Sequence, residues 1–285
     1  MTQTTAEPRS VWYSDWQSAG HAGLFDARSV LPPRSLVRNY ESFNDVRILG
    51  EWLAASSGPV TLLEVGCATG EFHRYLRLAY PQVEYHGVDI SRPAIAKARE
   101  KYPQGRFYVT RPEAAIRQEM ASLGLPARPE VLYSKDVVHH QTDPYGFLSQ
   151  LLEIPSRLLV LRTRTRDQGP TVLDPDLSCQ YHYQGWMPYI VLNLDELLGQ
   201  IHSRVPQAEI LATRNRMILG GRENRYLPKD CYLPETGTAE TSVGIFLHPE
   251  QPGRIQVADR REEPAPYPFS DRVALLLGRM RGHGR

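Results

Sequence analysis

The chain has 285 residues, enough for one large α/β domain with insertions. Its 33 basic and 32 acidic residues nearly cancel, so no overall field favours a nucleic-acid partner. Three cysteines (Cys67, Cys179 and Cys231) without metal-ligand spacing, and no apolar run approaching the roughly 20 residues of a membrane helix, predict a cytoplasmic protein without metal or membrane partner.

The first part of the chain, residues 1–58, precedes the first strand-like run and is rich in aromatic side chains. We predict that this part is a helical lid segment, and that Tyr13 and Trp16 in it contact a substrate. The alternative is that these aromatic residues are ordinary packing.

A strand–loop–helix–strand unit follows. The apolar run 60–65 ends in a small-residue loop, an amphipathic stretch covers 71–80, and a second apolar run covers 83–88. Gly66 and Gly70 allow a sharp turn close to a ligand. Asp89, at the tip of the second strand, is suited to accept hydrogen bonds from ribose hydroxyls. The unit therefore predicts a nucleoside-bearing cofactor.

The loop does not have the spacing of a dinucleotide site. It reads Glu64-Val-Gly66-Cys67-Ala68-Thr69-Gly70, which lacks the G-x-G-x-x-G order. Glu64 would put negative charge near a pyrophosphate, whereas it suits a ligand with positive charge. An NAD-dependent oxidoreductase is therefore the less favoured interpretation.

These segments resemble motifs of the class I S-adenosylmethionine (SAM)-dependent methyltransferases. Residues 64–70 are similar to motif I, with Ala68 in place of the middle glycine, and Gly-Val-Asp-Ile-Ser at 87–91 is similar to the second motif. The resemblance implies SAM as the cofactor. It also implies a set of binding residues in these two segments: Glu64, Gly66, Cys67, Ala68, Gly70, Asp89 and Ile90.

The rest of the chain alternates between strand and helix patterns. Further strands are predicted at 106–110, 130–134, 157–163, 208–219 and 240–247, and helices at 91–102, 112–123, 144–153 and 191–203. This order predicts an α/β fold with a doubly wound, mostly parallel sheet. Its seven strands match the Rossmann-like sheet of the resembled family.

The end of the fourth strand carries the second strong signal, Tyr-Ser-Lys-Asp-Val-Val-His-His at 133–140. Backbone groups of Ser134 and Lys135 are predicted to line the methionine arm of the cofactor. His140, assisted by Asp136, is predicted to remove a proton from a nucleophile, because imidazole titrates near neutral pH. His139 is a further catalytic candidate, with packing or a surface position as its alternative. The alternative role of Asp136 is to cap the helix that follows.

The same string resembles the fourth motif of small-molecule methyltransferases, including the phosphoethanolamine N-methyltransferases. In those enzymes an Asp and a His, matched here by Asp136 and His140, contact the acceptor. The amino-methylating signature [D/N]-P-P-[Y/F/W] is missing, which argues against DNA bases and glutamine amides as acceptors. Asp143-Pro144-Tyr145 resembles it only superficially and is predicted to begin a helix.

Arginine side chains occur at two places near the predicted site. Arg111 stands where the family often has an acid that binds the adenine amino group, and Glu113 follows it. Arg162, Arg164 and Arg166 alternate, so they share one face of the fifth strand. Arg162 and Arg164 are candidates for an anionic group of the substrate, with a solvated edge as the alternative.

Two segments lie outside the seven-strand plan. Residues 164–190 leave the fifth strand beside the cofactor loop and are predicted to be a second lid, with Tyr181, His182, Tyr183 and Trp186 touching substrate. Residues 248–285 are rich in Pro, Gly and charge and are predicted to be a flexible tail with a short C-terminal helix. The core domain is then 59–247.

We expect SAM-dependent methyl transfer to oxygen or nitrogen of a small-molecule acceptor. A His–Asp pair assists proton removal from such atoms, although a C-methyltransferase can use the same groups after its substrate ionises. A third possibility is a degenerate methyltransferase fold that binds without catalysis. A homodimer is possible.

Overall fold

The computed structural model describes residue 16 and residues 31–112, 114–182, 185–221, 224–247 and 253–263. Tyr13, Glu113 and Tyr183 lie outside the described residues, as does the predicted C-terminal helix. His182 is described in its backbone only.

Twelve strands occur in the described part of the chain. They are β1 (Val60–Val65), β2 (Val83–Asp89), β3 (Arg106–Val109), β4 (Val131–Lys135), β5 (Leu158–Arg166), β6 (Cys179–His182), β7 (Gly185–Pro188), β8 (Leu192–Asn193), β9 (Glu209–Arg216), β10 (Arg225–Tyr226), β11 (Ala239–Phe246) and β12 (Arg254–Asp259). Nine of them form the main sheet, and β6, β7 and β10 form a small second sheet.

The strand order of the main sheet is β12-β9-β11-β5-β4-β1-β2-β3, with β8 paired to β5. Strands β1 to β5 are parallel, whereas β11 runs antiparallel to both β5 and β9. The chain order reverses between β1 and β4, which makes a crevice at the carboxyl ends of these two strands. The predicted mostly parallel, doubly wound sheet is confirmed.

Helices cover both faces of this sheet. They are α1 (Pro33–Glu41), α2 (Asn44–Ala55), α3 (Glu71–Ala79), α4 (Arg92–Lys101), α5 (Ile116–Ser122), α6 (Pro144–Leu152) and α7 (Leu194–Arg204). Alternate residues of β1 point to opposite faces, so Leu62 packs among α1 to α4 and Leu63 among α5 to α7. Both faces of the central strands are therefore buried.

Helix starts follow the predicted signals. Asp143 caps α6, its carboxylate accepting a hydrogen bond from the Gly146 backbone N–H at 2.9 Å, and Pro144 occupies the first helical position. Asn193 caps α7 by accepting from the Glu196 N–H at 3.0 Å. No described helix has the length and apolar character needed to cross a membrane.

The sheet is wider than predicted, because β8 and β12 add to the seven expected strands. Strand β12 lies inside the segment predicted to be flexible. It pairs in parallel with β9, and the Glu262 side chain beyond it is buried. The prediction of a flexible tail is thus wrong for residues 254–262, where main-chain pairing and a buried ion pair fix the chain.

In the described part of the two predicted lid segments, several elements pack against the rest of the fold. From the N-terminal one, α1 and α2 bury Leu36 and Leu49 in the same core as Leu62. From the second, the part beyond β5 forms the antiparallel pair β6–β7, to which β10 adds a third strand. The small sheet so formed is called the β6–β7–β10 sheet below.

Candidate functional site

The loop after β1 has a backbone that few side chains tolerate. Gly66 has φ +91°, and a Cβ there would lie 2.2 Å from a methyl carbon of Val137. Gly70 has φ +77°, and a Cβ there would lie 2.7 Å from the ring of Phe107. Ala68 is also left-handed, with φ +47°, so the missing middle glycine is replaced by a strained alanine.

Asp89 at the end of β2 holds this loop in place. Its carboxylate accepts hydrogen bonds from the backbone N–H groups of Ala68, at 2.8 Å, and of Ser91, at 2.7 Å. The carboxylate therefore fixes the loop while its half-buried side chain, like that of Ile90, lines the adjoining cavity.

A cavity of about 330 Å³ opens at the carboxyl ends of β1, β2 and β4. That volume is within the usual size range of small-molecule and cofactor sites. Eight residues predicted from the sequence line it together: Trp16, Gly66, Ala68, Asp89, Ile90, Lys135, Asp136 and His140.

A second cavity of about 130 Å³ lies on the other side of the loop. Glu64 and Cys67 line this smaller cavity, as do Thr69 and Glu71 from the start of α3. The hydroxyl oxygen of Thr69 is buried without a hydrogen-bond partner in the structure. Four residues line both cavities, Gly66, Ala68, Lys135 and Asp136, so one elongated ligand can occupy the two.

Glu64 is almost completely buried and accepts a hydrogen bond from the hydroxyl of Tyr85. Burial raises the pKa of the Glu64 carboxyl to about 8, although the Tyr85 hydrogen bond and the charge of Lys135 work in the opposite direction. A positive charge brought into the smaller cavity would favour the ionised carboxylate.

His140 lies in a short 3₁₀ turn after β4, at one end of the larger cavity. Its Nδ1 is 2.7 Å from the backbone oxygen of Pro188, which can only accept a hydrogen bond. Nδ1 therefore carries the proton, and Nε2 is the unprotonated nitrogen of the neutral ring, an assignment that follows from the hydrogen bond. The ring of Trp16 meets the His140 ring edge-on at 5.3 Å.

Asp136 has a left-handed backbone with φ +58°. Its carboxylate accepts a hydrogen bond from Nη1 of Arg164 at 2.8 Å. Burial alone would raise the pKa of Asp136, but the positive charges of Arg164 and Arg162 hold this pKa well below its usual range. Asp136 is thus an ionised carboxylate with a third of its side chain exposed.

The two arginines predicted to bind substrate lie away from both cavities. Arg162 and Arg164 are 4% and 7% exposed, and neither lines the larger cavity or the smaller one. Arg162 pairs with Glu240 and Glu262, and Arg164 with Glu240 and Asp136. The alternative of a solvated edge is wrong, because these carboxylates come from neighbouring elements and enclose the guanidinium groups.

Several other predicted residues also lie outside both cavities. His139 is fully buried, and burial holds the pKa of its ring well below the usual range. Ser134 is fully buried and its hydroxyl donates to the Val65 oxygen at 3.1 Å. Gly70 begins α3 behind the loop. Tyr181 and Trp186 are in edge contact at 5.2 Å on the β6–β7–β10 sheet and do not reach either cavity.

Sequence reasoning missed Glu119, which lines the larger cavity and is 5% exposed. Its carboxylate accepts hydrogen bonds from the Arg111 backbone N–H, at 3.1 Å, and from the Arg111 guanidinium, at 2.6 Å. An acid therefore lies beside the position where the family places one, but it comes from α5. No sequence signal points to this pairing, because Arg111 precedes α5 and has no helical register with Glu119, which is eight residues later.

The comparison with protein families agrees with this geometry. Residues 63–154, which contain the loop, Asp89 and the turn of His140, match a family model described as a methyltransferase domain. This part, 92 of the 285 residues, is similar to methyltransferase domains.

Solved methyltransferase structures are similar to this chain at low identity. Magnesium protoporphyrin IX methyltransferase from Synechocystis PCC 6803 is 12% identical, over 86% of this chain and 100% of that one, with a TM-score of 0.48. The 1,6-didemethyltoxoflavin-N1-methyltransferase of Burkholderia thailandensis is 16% identical, over 87% and 93%, with a TM-score of 0.49. Among curated proteins, none matches.

The residues that line the two cavities fit SAM as a ligand. Two glycines leave room for a ligand backbone to approach the loop, and Asp89 offers a carboxylate at the tip of β2. The smaller cavity contributes a buried hydroxyl without a partner, that of Thr69, and the Glu64 carboxyl. This donor and acceptor set suits a ligand with a ribose at one end and an amino acid at the other.

Proposed function

We propose that the enzyme methylates an oxygen or nitrogen of a small molecule that enters the larger cavity beside Trp16, Asp136 and His140. The observation that carries the proposal is the 2.7 Å hydrogen bond between His140 Nδ1 and the Pro188 oxygen. This bond makes Nε2 the basic nitrogen of the neutral ring, and His140 lines the wall of the larger cavity.

In this proposal SAM spans both cavities. Asp89 binds the ribose hydroxyls and Glu119 faces the adenine in the larger cavity, while Glu64 and Thr69 face the amino-acid end in the smaller one. Support comes from the four lining residues that the cavities share and from the polar groups at each end. The cofactor supplies an electrophilic methyl group on a sulfonium.

The protein's own contribution is to orient the acceptor and receive its proton. His140 Nε2 accepts the proton of an acceptor O–H or N–H, while Nδ1 keeps its hydrogen bond to the Pro188 carbonyl. The ionised Asp136 stabilises the resulting imidazolium or binds a donor group of the acceptor. Trp16, in edge contact with His140, excludes water from this end of the cavity.

Replacing His140 by Ala tests the role of the base. Radiolabelled methyl transfer from SAM to a panel of small phenols and amines would first identify an acceptor for the wild-type enzyme. With that acceptor the His140→Ala turnover is expected to fall by about 10²- to 10⁴-fold, with the Kd for S-adenosylhomocysteine unchanged. His202→Ala, which changes an exposed histidine on α7, is the matched control.

Two outcomes would contradict the proposal. Equal turnover in wild-type enzyme and His140→Ala would remove the proposed base. Methylation of none of the heteroatom acceptors, combined with methylation of carbon acids such as β-dicarbonyl compounds, would favour the C-methyltransferase alternative.

Glu64 makes cofactor binding depend on pH. With a pKa near 8 its carboxyl is mostly protonated at pH 7, so binding a ligand ammonium beside it releases a proton. We expect affinity for S-adenosylhomocysteine to rise several-fold from pH 6 to 8 and to level off where the ligand amine, with a pKa of about 8, titrates. Calorimetry in two buffers of different ionisation enthalpy measures both affinity and proton release.

The Glu64→Gln variant provides the control for this pH effect. It should lose the rise in affinity and the proton release together. The ligand-free wild type should also lose stability relative to this variant as pH rises from about 4.5 to 8, because only its folded form holds the extra proton there. Identical pH profiles for the two proteins would show that Glu64 does not titrate in this way.

A further inference from the structure

Tyr189 lies where the β6–β7–β10 sheet meets the candidate catalytic residues. Its side chain is 2% exposed, and its ring is 5.7 Å from the ring of His140 and 5.1 Å from that of His139. Its backbone is fixed on Ser178, donating from N–H to the Ser178 oxygen at 2.9 Å and accepting from the Ser178 hydroxyl at 2.8 Å. The ring therefore has a fixed position beside His140.

The hydroxyl of Tyr189 extends this contact towards Asp136. It accepts a hydrogen bond from Nε of Arg164 at 3.0 Å, and Nη1 of the same guanidinium donates to Asp136 at 2.8 Å. Because a guanidinium is planar, orienting one of its edges orients the other. A buried chain of contacts thus runs from Tyr189 to the Asp136 carboxylate.

Residues on either side of Tyr189 hold the histidine turn. The Pro188 oxygen accepts from His140 Nδ1 at 2.7 Å, and the Ile190 N–H donates to the His139 oxygen at 2.8 Å. The guanidinium of Arg225, from β10, lies 4.4 Å from the centre of the Tyr189 ring. Residues 188–190 therefore hold the histidine turn, and Arg225 of β10 packs on the ring between them.

Asp136 depends on outside support for its conformation. A residue other than glycine in the left-handed region is strained and persists only where its surroundings hold it. At Asp136 the backbone N–H donates to the Arg162 oxygen at 2.9 Å, and the side chain is held by Arg164. Displacement of Arg164 would therefore release the carboxylate.

We propose that Tyr189 is a positioning residue that holds His140 through its ring and Asp136 through its hydroxyl and Arg164. The β6–β7–β10 sheet thereby sets the separation of the two groups, and with it the acceptor shapes that the enzyme methylates. This inference rests on the proposed function for its effect on catalysis, but the contacts are measurable without an acceptor.

Two variants test the hydroxyl contact and the ring contact of Tyr189 separately. Tyr189→Phe keeps the ring and removes the hydroxyl, so the Arg164 Nε–H should exchange with solvent at least tenfold faster, while His140 keeps its Nδ1–H tautomer in ¹⁵N NMR spectra. Tyr189→Leu removes the ring as well, and His140 should then show averaged tautomers. Tyr226→Phe, an exposed tyrosine of β10, is the control and should change neither signal.

The experiment also separates this inference from the proposed function. S-adenosylhomocysteine is titrated into each variant, and its Kd should stay within twofold of the wild-type value because Tyr189 lines neither cavity. Once a heteroatom acceptor of the wild-type enzyme is identified, Tyr189→Phe should lower kcat for it about tenfold, with KM unchanged.

If Arg164 and His140 gave the same NMR signals in both Tyr189 variants as in the wild type, the positioning role would be overturned. Displaced signals together with unchanged kcat would overturn its catalytic consequence. Failure of the wild-type enzyme to bind S-adenosylhomocysteine would instead count against the proposed function, and the NMR comparison would remain valid.

Discussion

Replacing Gly66 by Ala is expected to weaken S-adenosylhomocysteine binding by about 100-fold or more. The new methyl group would lie 2.2 Å from a Val137 methyl carbon, far inside van der Waals contact, and φ of +91° is strained for alanine. Since Gly66 and Val137 both line the larger cavity, relieving the clash must move its wall and the groups that contact the ligand.

The neighbouring Ala68 supplies a matched control for this prediction. Ala68→Gly changes the same loop by one methyl group but relieves a left-handed alanine at φ +47°. We expect this variant to bind like the wild type. Its free energy of unfolding should rise by about 0.5–1 kcal/mol, and its melting temperature should rise slightly. Calorimetry and thermal melting measure both variants. Binding by Gly66→Ala within threefold of wild type would show that the loop yields without moving the site.

The conformation of the loop after β1 could be predicted from the sequence because its backbone demands are local. Gly66 and Gly70 both have positive φ, and Asp89 stands at the tip of the next strand, as its spacing predicts. The alternation of strands and helices likewise indicates the parallel sheet, since each unit buries its own apolar face. Eight predicted residues therefore line one cavity.

What could not be predicted depends on contacts between distant segments. Glu119 reaches the larger cavity from a helix and pairs with Arg111, an arrangement that no short motif encodes. The aromatic residues at 181–186 were expected to touch substrate, but the described side chains, Tyr181 and Trp186, pack on each other. The residue of that segment that does reach the histidines, Tyr189, has no distinguishing pattern in the sequence.

Arginines on a strand illustrate the same limit. Three alternating arginines on β5 indicate an exposed or ligand-binding face, because isolated charges are rarely buried. The structure instead buries Arg162 against acids that are 78 and 100 residues away in sequence, Glu240 and Glu262. Only the pairing of β11 with β5, and the path of the chain after β12, bring those acids close.

The largest loss of stability is expected from Arg162→Met. Nη2 of Arg162 donates to Glu262 at 2.8 Å and also to Glu240, and its Nε lies 4.0 Å from the fully buried Asp45. Removing the guanidinium leaves buried carboxylates without their main counter-charge, which typically costs about 3–5 kcal/mol. Glu240 would keep one counter-charge in this variant, because Arg164 also pairs with it at 3.0 Å.

Glu262 explains why this loss should extend beyond β5. Its carboxylate also accepts from the Asn44 N–H at 2.9 Å, at the first residue of α2, where a negative charge is favourable. Freed from Arg162, this buried carboxylate would be expelled to solvent, detaching the segment after β12 from α2. Urea denaturation should therefore show a cooperative loss, and hydrogen exchange should show β12 opening first.

The double variant Arg162→Met/Glu262→Gln should recover part of the stability, since it removes one of the unpaired charges. Arg254→Met is the matched control, because this exposed arginine pairs with Glu209 on the same outer strands and should cost less than about 1 kcal/mol. If Arg162→Met destabilised the protein no more than Arg254→Met does, the buried network would be contributing no more than a surface ion pair. In that case β12 would be held by its main-chain pairing with β9 alone.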